Sequence, residues 1–96
     1  METKIYDFKN VIEYKDLEEA ASIITNGGLV AIPTETVYGL AAIASNDEAV
    51  QEVYRVKGRP SDNPLIVHVA NKDIAQFVKE VPEEAYVLMD AYWPGP

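Results

Sequence analysis

Apolar residues in this chain recur at helical spacing in three stretches, separated by short runs rich in β-branched side chains. Ile5 to Phe8 predicts a short strand. From Asp16 the order Asp-x-x-Glu to Glu19 predicts a capped helix with Leu17, Ala20, Ala21 and Ile24 on one face, ending where Gly27 accepts a left-handed backbone. Leu29 to Ile32 predicts a buried strand, and Tyr38 to Ala44 a weaker one. Ser45-x-x-Glu48 predicts the start of a second helix, which carries Ala49, Val50, Val53 and Tyr54 on its apolar face and stops at Gly58. Leu65 to Val69, rich in β-branched residues, predicts a fourth strand, Asn71 the cap of a short helix through Ile74, Phe77 and Val78, and Pro82 the entry to a last helix over about Glu83 to Trp93. Alternation of helix and strand gives an α/β (α+β) class, with helices flanking a twisted mixed β-sheet.

Composition narrows this picture. A chain of 96 residues, 48% of them apolar, has enough for one modest core and so for one domain. The Tyr92-Trp93-Pro94-Gly95-Pro96 end redirects a backbone towards a further element, so the chain reads as the N-terminal part of a longer domain. With no cysteine there is neither a disulfide framework nor a thiolate zinc site. The longest apolar run, Leu29 to Pro33, is too short for a membrane span, and Met1-Glu2-Thr3-Lys4 lacks a signal-peptide layout, so no membrane partner and a cytoplasmic location are expected.

The net charge of −8 disfavours broad attraction to nucleic acid. Yet Arg55, Lys57 and Arg59 fall close together, giving an acidic molecule one cationic spot suited to a small anion. The plainer alternative is a solvated helix end whose cations complement the helix dipole.

Candidate chemistry gathers in two loops. The first leaves its strand at Pro33 and exposes Thr34, Glu35, Thr36 and Tyr38 before Gly39, where a sharp turn is easy. A threonine hydroxyl donates and accepts, so it can grip a ligand or cap its own turn. The second loop follows Lys57. Gly58 lets the chain reverse, Arg59 is held extended before Pro60, and Pro60 and Pro64 stiffen the Ser61-Asp62-Asn63 segment between them. Two cations two residues apart can address one phosphate chain, with Asn63 offering its amide to a base or ribose; an Asx-turn beside a solvated Lys and Arg is the alternative.

No Gly-x-x-x-x-Gly-Lys-Ser/Thr or Gly-x-Gly-x-x-Gly run is present, so phosphate binding would rest on side-chain cations and scattered amides. Mg²⁺ is then expected to arrive with the nucleotide; Glu35 and Asp62 could contact it, directly or through water, although two acids among sixteen are more often ordinary surface residues, and no resident metal centre is expected. His68 is the only histidine and sits in the predicted strand Leu65 to Val69, on the face opposite Val67 and Val69. It serves either as a structural side chain or, if turned into the cleft, as a hydrogen-bonding group or base.

Taken in order, Gly27-Gly28 through Pro33-Thr34-Glu35-Thr36-Val37-Tyr38-Gly39-Leu40, the Lys57-Gly58-Arg59-Pro60 and Asn63-Pro64-Leu65-Ile66-Val67-His68 segments, and terminal Trp93-Pro94-Gly95-Pro96 resemble the YrdC/YwlC threonylcarbamoyl-AMP synthases. The resemblance implies a YrdC-like fold. It also implies an enzyme that converts L-threonine, bicarbonate and ATP to threonylcarbamoyl-adenylate and pyrophosphate, for transfer to tRNA by a separate tRNA-modifying transferase. By position it implies that Thr36 and His68 contact threonine, that Arg59 and Asn63 contact ATP, and that Lys57 with Arg59 forms the catalytic phosphate pair. Thr34 and Tyr38 would line the same cavity. Members of the family continue past the Trp-Pro-Gly-Pro run, so weak or no activity is expected of these residues alone. Three rivals stand beside this reading: a carbamoyl-adenylate-forming domain, a double-stranded RNA-binding module, and a non-catalytic YrdC-like domain.

Overall fold

A computed structural model describes residues 2–95. The chain divides into two compact units, Met1–Pro64 and Leu65–Pro96. In the first, helix α1 (Tyr14–Thr25) precedes strand β1 (Val30–Ile32), strand β2 (Gly39–Ala41) and helix α2 (Asp47–Lys57). The second holds a 3₁₀ turn (Ala75–Phe77) and helix α3 (Glu83–Tyr92). Three helices and a small sheet are consistent with an incomplete α/β (α+β) fold, although among the described residues the expected mixed sheet is a two-stranded antiparallel one.

Helix α2 follows from its own residues. Asn46 caps it by accepting the Ala49 N–H at 3.2 Å, and Asp47 and Glu48 complement the positive end of its dipole. Ala49 and Val53, one turn apart, are each 2% exposed, and Val50 and Tyr54 beside them are half-buried. The cap therefore lies one residue after Ser45, where the sequence placed it. An Asn side chain reaches the third helical N–H as well as a serine does, so the pattern alone could not separate the two.

Helix α1 starts earlier than the Asp16 box. Its N-cap is Glu13, whose side chain makes no capping bond, and Asp16 lies in the first turn, where a carboxylate still favours the dipole. Its less exposed positions are Asp16, Glu19, Ala20, Ile23 and Ile24, while Leu17 is 42% exposed, so the inward face is rotated from the expected one. At its end the Gly27 N–H meets the Ile24 carbonyl at 3.0 Å and the Gly28 N–H the Ile23 carbonyl at 2.8 Å, the paired bonds of a Schellman cap, with Gly27 at φ 89°. The chain then turns at once into β1, against which α1 packs.

The two strands pair antiparallel with Val30 opposite Ala41, Ala31 opposite Leu40 and Ile32 opposite Gly39. That register closes a hairpin whose connection is residues 33–38, the first candidate loop. Gly39 is therefore a strand residue with no positive φ, and the sharp turn expected there is not made by it.

Two expected strands do not form. Ile5 to Phe8 and Leu65 to Val69 have no ladder partner among the described residues, and a strand exists only when a neighbour takes its N–H and carbonyl groups. The N-terminal arm is instead tied down by side chains. Lys4 pairs with Glu19 of α1 and lies 5.4 Å from the Tyr6 ring centre, and the Tyr6 and Phe8 rings stack at 6.4 Å. In the second unit Asn71 accepts the Asp73 N–H at 2.9 Å, so it closes an Asx-turn rather than capping a helix, and the helical turn after it is only Ala75–Phe77. Helix α3 begins after Pro82 as expected, buries Met89, and is tied to the preceding segment by Lys72 and Asp90 at 2.6 Å.

Candidate functional site

The second candidate loop is shaped by the end of α2. Gly58 at φ 65°, ψ 28° is left-handed, its N–H meets the Arg55 carbonyl at 3.3 Å, and the Arg59 N–H meets the Tyr54 carbonyl at 3.0 Å. This second Schellman cap fixes the backbone of Arg59 directly below the helix end. Pro60 to Asn63 then form a turn closed by the Asn63 N–H on the Pro60 carbonyl at 3.1 Å. Across the turn the Tyr54 hydroxyl donates to the Asn63 carbonyl at 2.6 Å, and one Arg59 Nη2 donates to the Pro64 carbonyl at 3.1 Å.

The consequence is a loop pinned at both ends, at the Arg59 N–H and at the Asn63 N–H and carbonyl. Asn63 spends its N–H and carbonyl on Pro60 and Tyr54, so its side-chain amide is the group left for another molecule. Arg59 is half-buried and spends one donor on Pro64, while the rest of its fork of about five donors is uncommitted. Lys57 is exposed and makes no ion pair among the described residues. Arg55 differs, because its Nε meets Glu52 at 2.8 Å and its Nη2 pairs with the same carboxylate. The hydrogen bond from Arg55, aided by its charge, holds the Glu52 carboxyl below its ordinary value. Of the three clustered cations, Lys57 and Arg59 are thus the two available to an anion.

The hairpin loop is also locally organised. The Thr36 N–H donates to Thr34 Oγ1 at 3.2 Å, Thr34 Oγ1 donates to the Val37 carbonyl, and the two threonine hydroxyl oxygens lie 3.5 Å apart. Thr34 therefore caps its own turn, and this use of its hydroxyl competes with gripping a ligand. Thr36, Glu35 and Tyr38 are exposed, Tyr38 by 75%. No hydrogen bond or ion pair joins this loop to residues 57–64 among the described residues, although both belong to the same unit. His68 is exposed and belongs to the other unit.

The structure thus brings Thr34 and Thr36 together, and Arg59 and Asn63 together, and leaves His68 in a separate unit. Surface cavities lie along Leu88, Met89, Tyr92, Trp93 and Gly95, and beside Glu2, Thr3 and Lys4, and involve none of the candidate residues. Sequence reasoning missed Tyr54 as a member of the site, placing it only on the apolar face of α2. Its spacing held a signal, since a tyrosine one turn before a left-handed glycine lies over the loop that the glycine begins. Among the described residues no three His, Cys, Asp or Glu side chains gather as a metal-binding group, and no helix is long and apolar enough to cross a membrane.

Comparison with known proteins places these loops in a family. A family model named Sua5_yciO_yrdC and described as telomere recombination matches residues 22–96. The chain is 47% identical over 95 residues to the threonylcarbamoyl-AMP synthase of Pyrococcus abyssi, covering 98% of this chain and 28% of that protein. It is 49% identical over 80 residues to the threonylcarbamoyl-AMP synthase of Bacillus subtilis, covering 82% of this chain and 23% of that one. The crystal structure of P. abyssi Sua5 complexed with L-threonine superposes with a TM-score of 0.81 at 49% identity, over 88% of this chain and 25% of the other. The chain spans about a quarter of the length of these relatives. With the glycine-capped Lys57–Asn63 loop and the threonine hairpin both inside the matched stretch, the chain belongs to the Sua5/YciO/YrdC family.

Proposed function

We propose that the chain contributes the N-terminal part of a threonylcarbamoyl-AMP synthase domain, which joins L-threonine, bicarbonate and ATP into threonylcarbamoyl-adenylate and pyrophosphate. The observation that carries this reading is the Lys57–Asn63 loop. Its backbone is pinned at both ends, Lys57 and an Arg59 with donors to spare flank a left-handed glycine, and the Asn63 side-chain amide follows. Similarity at 49% identity to a Sua5 protein complexed with L-threonine supports the amino-acid half of the reaction.

In the reaction the threonine amine attacks the bicarbonate carbon. A C–N bond forms, water leaves, and a carbamate results. A carbamate oxygen then attacks the α-phosphorus of ATP, and the bond to the bridging oxygen of the β-phosphate breaks to release pyrophosphate. Negative charge collects on that leaving group, and Lys57 and the Arg59 fork meet it with charge-assisted hydrogen bonds. Asn63 orients the nucleotide through its amide. Thr36, Thr34, Tyr38 and His68 supply hydroxyl, phenol and imidazole groups suited to a small amino acid. Mg²⁺ would arrive with the nucleotide and would neutralise phosphate charge there. The product would pass to a tRNA-modifying transferase in the cytoplasm.

The test is a titration of the chain with ATP, with L-threonine, and with both, followed on the backbone amides of residues 34–39 and 57–68. ATP should shift the 57–63 amides and threonine the 34–38 amides. Shifts in neither segment would end the reading.

A further inference from the structure

We propose that Tyr54 is a positioning residue for the nucleotide, a role that rests on the function proposed above: it fixes the backbone from which the Arg59 and Asn63 side chains project, without touching the ligand itself. Tyr54 grips the loop at both ends. Its carbonyl accepts the Arg59 N–H at 3.0 Å, where the loop begins, and its hydroxyl donates to the Asn63 carbonyl at 2.6 Å, where the turn closes. Between those points the Asn63 N–H on Pro60 takes up the remaining main-chain freedom. Because Tyr54 follows the fully buried Val53 on α2, the clamp is anchored to the best-packed part of its unit.

A flexible loop loses conformational entropy when a ligand orders it, whereas a loop already ordered does not, so pre-ordering appears as affinity. Tyr54 supplies that order through one hydroxyl. Removing the hydroxyl while keeping the ring leaves the Schellman cap and the packing of α2 in place, and frees only the Asn63 end.

Tyr54→Phe tests this in the 96-residue chain, with magnesium ATP as the probe. Backbone order at residues 60–63 should fall, amide protection at Ala49 and Val53 should stay as in the parent, and ATP should bind about fivefold more weakly, the effect of one lost hydrogen bond. Asn63→Ala is the companion variant: it should weaken ATP while the 60–63 backbone stays ordered. If Tyr54→Phe loosens the loop and ATP affinity is unchanged, the bond is merely structural and the positioning role is wrong. Unchanged loop order in Tyr54→Phe overturns it equally. A parent chain that binds no ATP fails the functional reading itself, and the positioning role falls with it; that failure shows in the parent, whereas the failure of the clamp shows only in the variant.

Discussion

Arg59 has two uses that pull apart under substitution. Its Nη2 braces Pro64, and the remaining donors of its fork are the ones the proposed function assigns to phosphate. Arg59→Lys keeps the charge but loses the fork, so it should retain part of the ATP affinity. Arg59→Ala loses both, and ATP binding by calorimetry should fall roughly tenfold to a hundredfold, the range of one or two charge-assisted hydrogen bonds. The melting temperature should move little, since the brace is one hydrogen bond on the surface. The sequence placed Arg59 in the loop and predicted its charge role; its bond to Pro64 was not legible, because it depends on how the Pro60–Asn63 turn closes. The Lys4–Glu19 pair makes a different prediction. The hydrogen bond between them, reinforced by opposite charge, lowers the Glu19 carboxyl and raises the Lys4 ammonium from their ordinary values of 4.5 and 10.5. A depressed carboxyl stabilises above its unfolded value and loses that contribution as pH falls through its lower folded one; a raised ammonium stabilises below its unfolded value and loses it as pH rises past its higher folded one. Docking of the N-terminal arm, read from contacts between Tyr6 and α1, should therefore persist from mildly acidic to mildly alkaline pH. It should weaken below the ordinary carboxylate value, above the ordinary ammonium value, and at high salt, which screens an exposed pair.

Helix α2 was largely legible because its face and its left-handed stop are each set by nearby residues, while its cap lies one residue later than the sequence placed it. Asn46→Ala should cost about 1 kcal/mol by loss of the cap, seen as a lower melting temperature. The start of α1 was less legible, because Glu13 caps it by backbone position alone and leaves no side-chain signature. Its end rests on two glycines with distinct reasons. Gly27 needs its positive φ, whereas a Cβ on Gly28 would come within 2.7 Å of the Ile23 side chain and 2.9 Å of its carbonyl. Gly28→Ala should therefore destabilise by about 1 to 3 kcal/mol through forced separation of α1 and β1, measurable by denaturant unfolding. The strands were the least legible elements. β1 and β2 pair through a short hairpin, but a run such as Leu65 to Val69 has all the composition of a strand and still requires a partner that composition does not name.

At the scale of the molecule, the buried apolar positions among the described residues are few: Ala49, Val53 and Met89. Large apolar side chains such as Ile5, Ile66, Tyr92 and Val87 stand 64% or more exposed. A core that small leaves little hydrophobic stabilisation to offset chain entropy, so the 96-residue chain should unfold over a broad temperature range and bind a hydrophobic dye before it does. A sharp calorimetric transition without dye binding would contradict this. The same limit bears on what of the site was legible: each loop is written locally, whereas how one loop stands to the other is set by contacts between distant parts of the chain. For the Lys57–Asn63 loop, that local writing has a further consequence. The hydrogen bonds that shape it run between Tyr54 and Pro64 and close over short separations. During synthesis on the ribosome, the loop can take its shape as soon as Pro64 clears the exit tunnel, while the stretch that follows it still lies inside the tunnel.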